Sequence, residues 1–419
     1  MKTVREQVHI DPELRAELTR AGLSRALFAD IETTGLSREK NRVYLIGILA
    51  VADGDAVLTQ WLSQSRGEEA AVLRAFADTL ASLSLPVRTI CNSEDTASSP
   101  AAASGADTAD LPECAEEPAK PTCTIVTFNG DAFDLPFLAE RARLCSVRLP
   151  LASFSSLDLY KITKRLRPLL GLADCRQKSL ERFLGLERED RMSGGELIGV
   201  YHDYESFGGA SREHLLLLHN REDVLGMPAL LPVLRYSAMR SASFSNISAR
   251  ESTYTDYYGA SCRELYVQAV SSLPLPRPVR IRRGDFFLNW IAGDVFLRIP
   301  LREGEARYYF ADYKNYFYLP AEDMAVHKSV GAFVEPSHRV KATRETCYVR
   351  KAGTFYPAPQ EACSGKKKHA AAEGPLSGQP VYAGPGADQF SFLLTEEILQ
   401  NDAWWNEYLR ALLAILAPA

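Results

Sequence analysis

The stretch "FADIETTGL", residues 28–36, runs from an apolar segment of β type into two acids and a glycine turn. Alternate residues of a strand point to the same side, so Asp30 and Glu32 project together from the strand end. Neighbouring carboxylates repel each other, and burying them is costly unless cations neutralise them. Closely spaced oxygen ligands suit Mg²⁺ or Mn²⁺. The stretch therefore indicates either a divalent-metal site or a solvated strand end with two surface acids.

Two later segments carry acids at positions that can converge with the first pair. "TFNGDAFDLPFL", residues 127–138, predicts a strand, a turn and a helix, with Asp134 at the helix start as an N-cap or a metal ligand. "HNREDV", residues 219–224, separates His219 from Asp223 by four positions, which places both on one face of a leucine-rich helix. For this pair alone, a hydrogen bond on the helix surface is the simpler interpretation.

The three segments in this order resemble the motifs of the DEDD superfamily of 3′–5′ exonucleases, whose fold is ribonuclease H-like. The resemblance covers about residues 24–235. More narrowly, "HNREDV" and the upstream "SLERFLGLEREDRMSGGELIGVYHDY" are similar to the YprB-type ribonuclease H-like proteins of bacteria. His219 stands four residues before Asp223, at the position where the tyrosine branch of the superfamily carries Tyr, whereas the histidine branch usually has a separation of five.

The resemblance implies a catalytic site with two divalent ions, Mg²⁺ or Mn²⁺, and a nucleoside 5′-monophosphate as the product. His219 would accept the proton of the attacking water or orient that water. The metal ligands would be Asp30, Glu32, Asp134 and Asp223. The implied contacts to the terminal nucleotide are Thr33, Thr34, Gly35, Leu36 and Asn129. Leu36 would lie against the terminal base.

The 419 residues, 46% of them hydrophobic, are enough for two or three domains. The order of strand and helix patterns predicts an α/β fold: a ribonuclease H-like mixed central sheet flanked by helices, then a smaller β-rich domain and a C-terminal helix. The predicted boundaries are a lead-in helix at 1–25, the ribonuclease H-like exonuclease domain at 26–238 with a flexible insertion at 92–122, a connector with some helix at 239–276, and the β-rich domain at 277–419.

The second half of the sequence is basic and aromatic, although the net charge of the whole chain is −5. Residues 277–370 contain 17 Lys and Arg against 10 Asp and Glu. Cations interleaved with aromatic residues can contact phosphates and stack on bases, while the alternative is the core of a β domain. The candidate substrate contacts, if they share a face, are Lys328, Arg339, Lys341 and Arg344.

The composition favours a cytoplasmic protein without a membrane partner, and the resemblance implies DNA or RNA as the partner. No apolar run approaches the roughly 20 residues that span a bilayer, and the first residues lack the apolar block of a signal peptide. The eight cysteines form no CxxC pair, as expected for reduced thiols. The leading hypothesis is a metal-dependent 3′–5′ exonuclease. The alternatives are an inactive nucleic-acid-binding or scaffold protein on the same frame, and a structure-specific endonuclease.

Overall fold

A computed structural model describes residues 1–52, 54–84, 123–190, 192–359, 376, 379–384 and 390–417. The predicted insertion at 92–122 lies outside the described residues. The first of two compact units contains Met1–Lys161 and Leu186–Leu231, and the second contains Ile162–Gly185 and Pro232–Ala419. Within the described part of the chain, no helix is both long and apolar enough to span a bilayer.

The first unit is built on a six-stranded mixed sheet with the order β1-β4-β3-β2-β5-β6. The neighbours from β1 to β2 pair antiparallel, whereas β5 and β6 continue the sheet parallel to β2. This mixed sheet confirms the predicted fold class. The strands are β1 (Lys2–Val8), β2 (Arg25–Thr33), β3 (Val43–Ala52), β4 (Asp55–Leu62), β5 (Thr124–Thr127) and β6 (Ser155–Asp158).

Helices cover both faces of this sheet. Successive residues of β3 point to opposite sides and therefore pack against different helices. Ile46 belongs to an apolar cluster with Phe76 of α2, and Leu45 to a second cluster with Tyr201 of α6 and Leu216 of α7. The helices that begin before residue 231 are α1 (Pro12–Arg20), α2 (Glu69–Ser84), α3 (Asp134–Leu144), α4 (Leu159–Leu170), α5 (Gln177–Leu184), α6 (Gly194–Phe207) and α7 (Ala210–Leu230).

The predicted lead-in helix at 1–25 is wrong for its first residues. Residues 2–8 form β1, which pairs antiparallel with β4 at the edge of the sheet. Exposure along "KTVREQV" alternates from residue to residue, which is the period of a strand and not of a helix. The helical part is limited to α1, where the side chain of Asp11 accepts a 2.7 Å hydrogen bond from the backbone N–H of Leu14.

The second unit contains a five-stranded antiparallel sheet with the order β7-β8-β11-β10-β9. The predicted connector with some helix at 239–276 is therefore wrong, because residues 244–271 form a hairpin of this sheet. Leu265, Val267 and Ala269 are buried, and the residues between them are not, which is again a period of two. The strands are β7 (Phe244–Thr255), β8 (Ser261–Ser271), β9 (Val279–Arg283), β10 (Phe286–Ile291) and β11 (Asp294–Pro300).

The rest of the second unit is a small closed barrel, a three-stranded sheet and short helices. The last helix, α11, docks through buried aromatic residues, and the indole N–H of Trp404 donates a 2.9 Å hydrogen bond to the hydroxyl of Tyr356. The predicted β-rich region and C-terminal helix are thus confirmed. The elements are α8 (Leu234–Ser237), β12 (Arg302–Tyr309), β13 (Tyr316–Leu319), β14 (Met324–His327), α9 (Lys328–Gly331), β15 (Val340–Lys341), β16 (Tyr348–Pro357), β17 (Tyr382–Ala383), β18 (Phe390–Leu393), α10 (Glu396–Leu399) and α11 (Asp402–Leu416).

Candidate active site

Three elements of the first unit bring the predicted acids together at the end of β2. Asp30 and Glu32 lie on the face of β2 that packs against α7. Asp134 is the first residue of α3, and its Oδ1 accepts a 3.2 Å hydrogen bond from the backbone N–H of Ile31. This bond holds the first residue of α3 against the backbone of Ile31, which lies between the two acids of β2. An acid at this helix position is also favoured by the helix dipole.

His219 and Asp223 enter the same cluster from α7. The Nε2 atom of His219 lies 3.1 Å from Oδ2 of Asp223 and 3.5 Å from Oε1 of Glu32. The three side chains each offer one ligand atom, and these atoms all lie within 4.8 Å of one another. The two carboxylate oxygens and the imidazole nitrogen are all acceptors, so they need a proton or a cation between them.

The other ring nitrogen of His219 is held by Asp190, which sequence analysis missed. The distance from Nδ1 to Oδ2 of Asp190 is 2.7 Å. Asp190 lies between α5 and α6, and the carboxylate of Glu222 on α7 accepts hydrogen bonds from the backbone N–H groups of Glu189, at 3.0 Å, and Asp190, at 2.9 Å. A carboxylate on Nδ1 favours the tautomer whose Nε2 is an acceptor facing the acids.

Burial is the first cause that makes the cluster acids hard to ionise without a cation. Burial raises the pKa of Asp30 well above its ordinary value, and the neighbouring Asp223, Glu32 and Asp134 add to the rise. The pKa of Glu32 is raised in the same way, by burial and then by Asp223 and Asp134. The pKa of Asp134 rises to about 7, chiefly through burial. A divalent cation among these groups would remove the repulsion that keeps them protonated.

Arg188 supplies the positive charge nearest to the α7 acid. Its guanidinium donates to Oδ1 of Asp223, and both side chains are largely shielded from solvent. Asp223 is thus compensated from one side by Arg188, while its Oδ2 remains directed toward His219. Arg188 and Asp190 both come from the acid-rich "LEREDR", a part of the YprB-type resemblance to which the sequence alone assigned no role.

Asn220, also missed in the sequence, positions Asp30. It is completely buried, and its Nδ2 donates a 2.8 Å hydrogen bond to Oδ2 of Asp30. Its Oδ1 accepts a 2.9 Å bond from Nε2 of Gln60 on β4. Gly47 of β3, opposite Asp30, makes room for this side chain, because a Cβ there would lie 1.9 Å from Oδ1 of Asn220. The sequence signals that could have indicated this contact were Gly47 and Gln60, a glycine and a polar residue inside two buried strands.

The donor set fits a divalent cation. Carboxylate oxygens are the ligands that Mg²⁺ and Mn²⁺ prefer. Glu32, His219 and Asp223 are the described residues whose ligand atoms meet the distance requirement of one site. Asp30 and Asp134 interact electrostatically with the acids of this group.

The loop after β2 uses several of its predicted substrate contacts for its own structure. The hydroxyl of Thr33 donates to the carbonyl of Gly35 at 2.8 Å, and the Thr34 hydroxyl accepts from the N–H of Arg42 at 2.9 Å. Gly35 has φ 152°, and a Cβ there would lie 2.7 Å from the Asn41 side chain. The conformation and packing of the loop therefore account for the glycine at position 35. Among the four predicted contacts at 33–36, Leu36 is the exposed one, at 84%.

The turn between β5 and α3 is organised by Asp158. Its Oδ1 accepts hydrogen bonds from the backbone N–H of Asn129, at 2.8 Å, and of Tyr160, at 2.9 Å. The Tyr160 contact caps the start of α4. Asn129 has a positive φ of 71°, which this bond stabilises. Its role in substrate binding stays a prediction.

The four predicted cationic contacts lie in the second unit and are divided between two rings. Phe317 on β13 is approached by Arg339, whose Cζ lies 4.6 Å from the ring centroid, and by Lys328, whose Nζ lies 5.9 Å away. Lys341 is paired with Phe317 in register. Arg344 lies instead over Tyr313, at 5.5 Å. Two cations thus share the Phe317 ring, a third is the strand neighbour of Phe317, and substrate binding by all four stays a prediction.

The order of the mixed sheet and the acids at the end of its central strand define a ribonuclease H-like α/β fold in the first part of the chain. A family model described as RNase_H superfamily matches residues 27–87 and 98–234, which is slightly less than half of the sequence. No curated protein matches the chain significantly.

Among solved structures, the chain is similar to exonuclease I. The structure of the E. coli enzyme with a dT13 oligonucleotide is 13% identical, covers 59% of this chain and 55% of its own, and gives a TM-score of 0.28. An apo structure of exonuclease I is 14% identical, covers 59% of this chain and 56% of its own, and gives a TM-score of 0.27. A zinc-bound E. coli complex with single-stranded DNA is 14% identical, covers 59% of this chain and 54% of its own, and gives a TM-score of 0.26. The chain thus spans little more than half of these relatives, and TM-scores this low assign neither a fold nor an activity.

The metal-free protein is expected to lose stability as the pH rises from about 5 to 8. The pKa values of Asp30, Glu32 and Asp134 are higher in the folded state than in the unfolded chain, so the folded state binds more protons. The free energy of unfolding therefore falls as the pH rises through the folded-state pKa values, of which that of Asp134 is about 7. A tenfold difference in proton affinity between the folded and unfolded states corresponds to about 1.4 kcal/mol, so the loss is on the order of a few kcal/mol.

Urea unfolding at pH 5 and pH 8 in EDTA measures this loss. Acids with lowered pKa values, such as Glu213, complete their titration below this window and do not mask the effect. Mg²⁺ or Mn²⁺ should restore the free energy of unfolding at pH 8 far more than at pH 5. A metal-free protein that is equally stable at both pH values would contradict the description of the acid cluster.

Asp190→Asn is expected to lower the rate of the proposed hydrolysis by about 10- to 100-fold with little change in KM, because the amide no longer fixes the His219 tautomer through a charged bond. The isosteric change keeps the shape of the loop. Steady-state kinetics on a labelled oligonucleotide measure it. Asp203→Asn, on the exposed side of α6, is the matched control and should behave as wild type. A rise in KM at unchanged kcat would assign Asp190 to substrate binding instead.

Proposed function

We propose that the protein is a metal-dependent 3′–5′ exonuclease that hydrolyses phosphodiester bonds of nucleic acid with two ions, Mg²⁺ or Mn²⁺, as in the DEDD superfamily and its YprB-type relatives. The observation that supports this most directly is the convergence of four carboxylates and one histidine from β2, α3 and α7 on one place. A surface that only binds or scaffolds nucleic acid gains nothing from mutually repelling, buried acids.

Each residue of the cluster has a proposed task. Asp30, Glu32, Asp134 and Asp223 would hold the ions. Bound ions would supply positive charge at the scissile phosphate and lower the pKa of a coordinated water.

His219 would receive or hold a proton at Nε2, and the 2.7 Å contact of Asp190 with Nδ1 supports this role. Leu36, exposed in the loop after β2, would pack against the terminal base, and Asn129 would contact the same nucleotide.

End-labelled substrates test the reaction and its direction. The purified protein is incubated with 3′- and 5′-labelled DNA and RNA, single-stranded and duplex, in Mg²⁺, Mn²⁺ or EDTA, beside a closed circular single strand. We expect the 3′ label to leave at once as a mononucleotide and the 5′-labelled strand to shorten stepwise, in metal only. Opening of the circle would assign an endonuclease. No cleavage by protein shown to bind metal would favour the inactive scaffold.

A further inference from the structure

The five-stranded sheet of the second unit has one buried face and one face that the apolar core does not use. Side chains of opposed residues in antiparallel strands share a face. Residues at alternate positions, such as Val267, Leu288 and Leu297, are almost completely buried and form the inner face. The side chains between them therefore make up the outer face.

A single row of this outer face alternates arginine with aromatic residues across all five strands. The registers place Arg250 of β7 opposite Tyr266 of β8, Tyr266 opposite Arg298 of β11, Arg298 opposite Phe287 of β10, and Phe287 opposite Arg282 of β9. We call these five residues the arginine–aromatic row. The adjacent row continues the same chemistry with Gln268, Phe296, Asn289 and Arg280.

The charge of this face is strongly unbalanced. Arg250, Arg280 and Arg282 are exposed, and they form no ion pair with any residue that the structure describes. Of the two acids at strand positions on this face, Glu264 is 6% exposed and is paired with Arg298 at 2.8 Å. The other, Asp294, lies at the β10–β11 turn, four positions along β11 from Arg298 of the row. Charge complementarity therefore favours a polyanion.

The aromatic residues are presented in a way that suits stacking. Phe287 is 36% exposed, and the rings of Tyr266 and Phe296 lie 6.2 Å apart on the same face. Arg250 lies over Tyr266, with 5.1 Å from Cζ to the ring centroid, and Arg298 lies over Tyr254 at 5.0 Å. Guanidinium groups held against rings in this way remain able to contact a phosphate while a base stacks beside them.

A cavity of about 440 Å³ opens at one end of the row. This volume lies in the range of about 300–1,000 Å³ that is typical of small-molecule sites. Its lining includes the cations Arg282 and Arg298 and the rings of Tyr254 and Phe287. The two acids of the lining, Glu264 and Asp285, are paired with Arg298 and Arg302.

We propose that the outer face of the five-stranded sheet is a binding platform for single-stranded nucleic acid, with bases stacked on the arginine–aromatic row. Strands about 4.8 Å apart give the row a length of roughly 19 Å, enough for the two or three bases that an aromatic sheet face stacks. The platform goes beyond the proposed nuclease site. The choice of nucleic acid as the polyanion rests in part on that proposed function.

Binding is measured on the full chain carrying Asp30→Asn, in EDTA, so that no cleavage interferes. Fluorescence anisotropy follows labelled single strands of about 12 nucleotides, DNA and RNA, and a duplex of the same length. Phe287→Ala is expected to weaken single-strand binding by about 5- to 100-fold, the range for one stacked base. Arg250→Gln, Arg280→Gln and Arg282→Gln together should weaken it at least tenfold and reduce the slope of log affinity against log salt concentration by about two.

Matched variants separate the platform from general effects of charge and surface. Phe287→Tyr keeps the ring and should bind as the parent protein does. Phe207→Ala and Arg410→Gln remove the same chemical groups from exposed positions outside the face and should leave binding unchanged. Thermal melting of every variant checks that the fold is retained.

Single-strand affinity that does not respond to the row variants overturns the inference and leaves this face to a protein partner. Equal loss for duplex and single strands also overturns it, because it indicates charge attraction without stacking. The outcome is independent of catalysis. A protein that cleaves nothing but binds through the row refutes the proposed function alone, and one that cleaves while its row variants bind normally refutes the platform alone.

Discussion

Asp30→Asn is expected to lower the rate of metal-dependent cleavage by about three orders of magnitude or more, while leaving the fold intact. A metal ion contributes several kcal/mol to such a reaction, and each 1.4 kcal/mol is a factor of about ten in rate. The asparagine keeps an oxygen that can accept the 2.8 Å bond from Asn220. It removes one of the charges that raise the pKa of the neighbouring acids, so the metal-free variant should be more stable than wild type at pH 8.

Three measurements on Asp30→Asn separate catalysis from folding: the cleavage rate, the thermal midpoint in EDTA, and the change of that midpoint when Mn²⁺ is added. Asp203→Asn is again the matched control on an exposed helix surface. Activity within tenfold of wild type would remove Asp30 from the active site. Lost activity accompanied by lost stability would assign Asp30 a structural role instead of metal binding.

Gly47→Ala is expected to reduce activity at least tenfold and to destabilise the protein by about 1–3 kcal/mol, the usual cost of overpacking a buried site. The new Cβ would lie 1.9 Å from Oδ1 of Asn220. Asn220 cannot move aside cheaply, because it is completely buried and bonded to Gln60 and Asp30. Its displacement would release Asp30 from the orientation that the proposed chemistry requires.

A double-mutant cycle tests whether the effect of Gly47→Ala passes through Asn220. In an Asn220→Ala background the clash is absent, so adding Gly47→Ala should cost little further stability. Gly199→Ala, on α6 with open space around its Cβ position, is the matched control and should be neutral or slightly stabilising. Additive costs of the two changes would show that Gly47 acts through some other contact.

Local geometry is the part of the site that could be predicted from the sequence. The pleat of a strand places Asp30 and Glu32 on one side, and one helical turn places His219 beside Asp223. The start of α3 at Asp134 follows from the turn residues that precede it. The predicted helix over the first residues failed, and so did the connector at 239–276. Short strands with alternating burial have a weaker signal than a leucine-rich helix.

The sequence by itself thus determined the α/β class of the first half, the β-rich second half and the acids that carry the proposed chemistry, because each depends on residues within a few positions of one another. The tertiary structure alone decided that Asp190 bonds to His219, that Asn220 fills the space above Gly47, and that five strands align one arginine–aromatic row. Such contacts join residues many positions apart, and the register and packing that create them are fixed only when the whole sheet is formed.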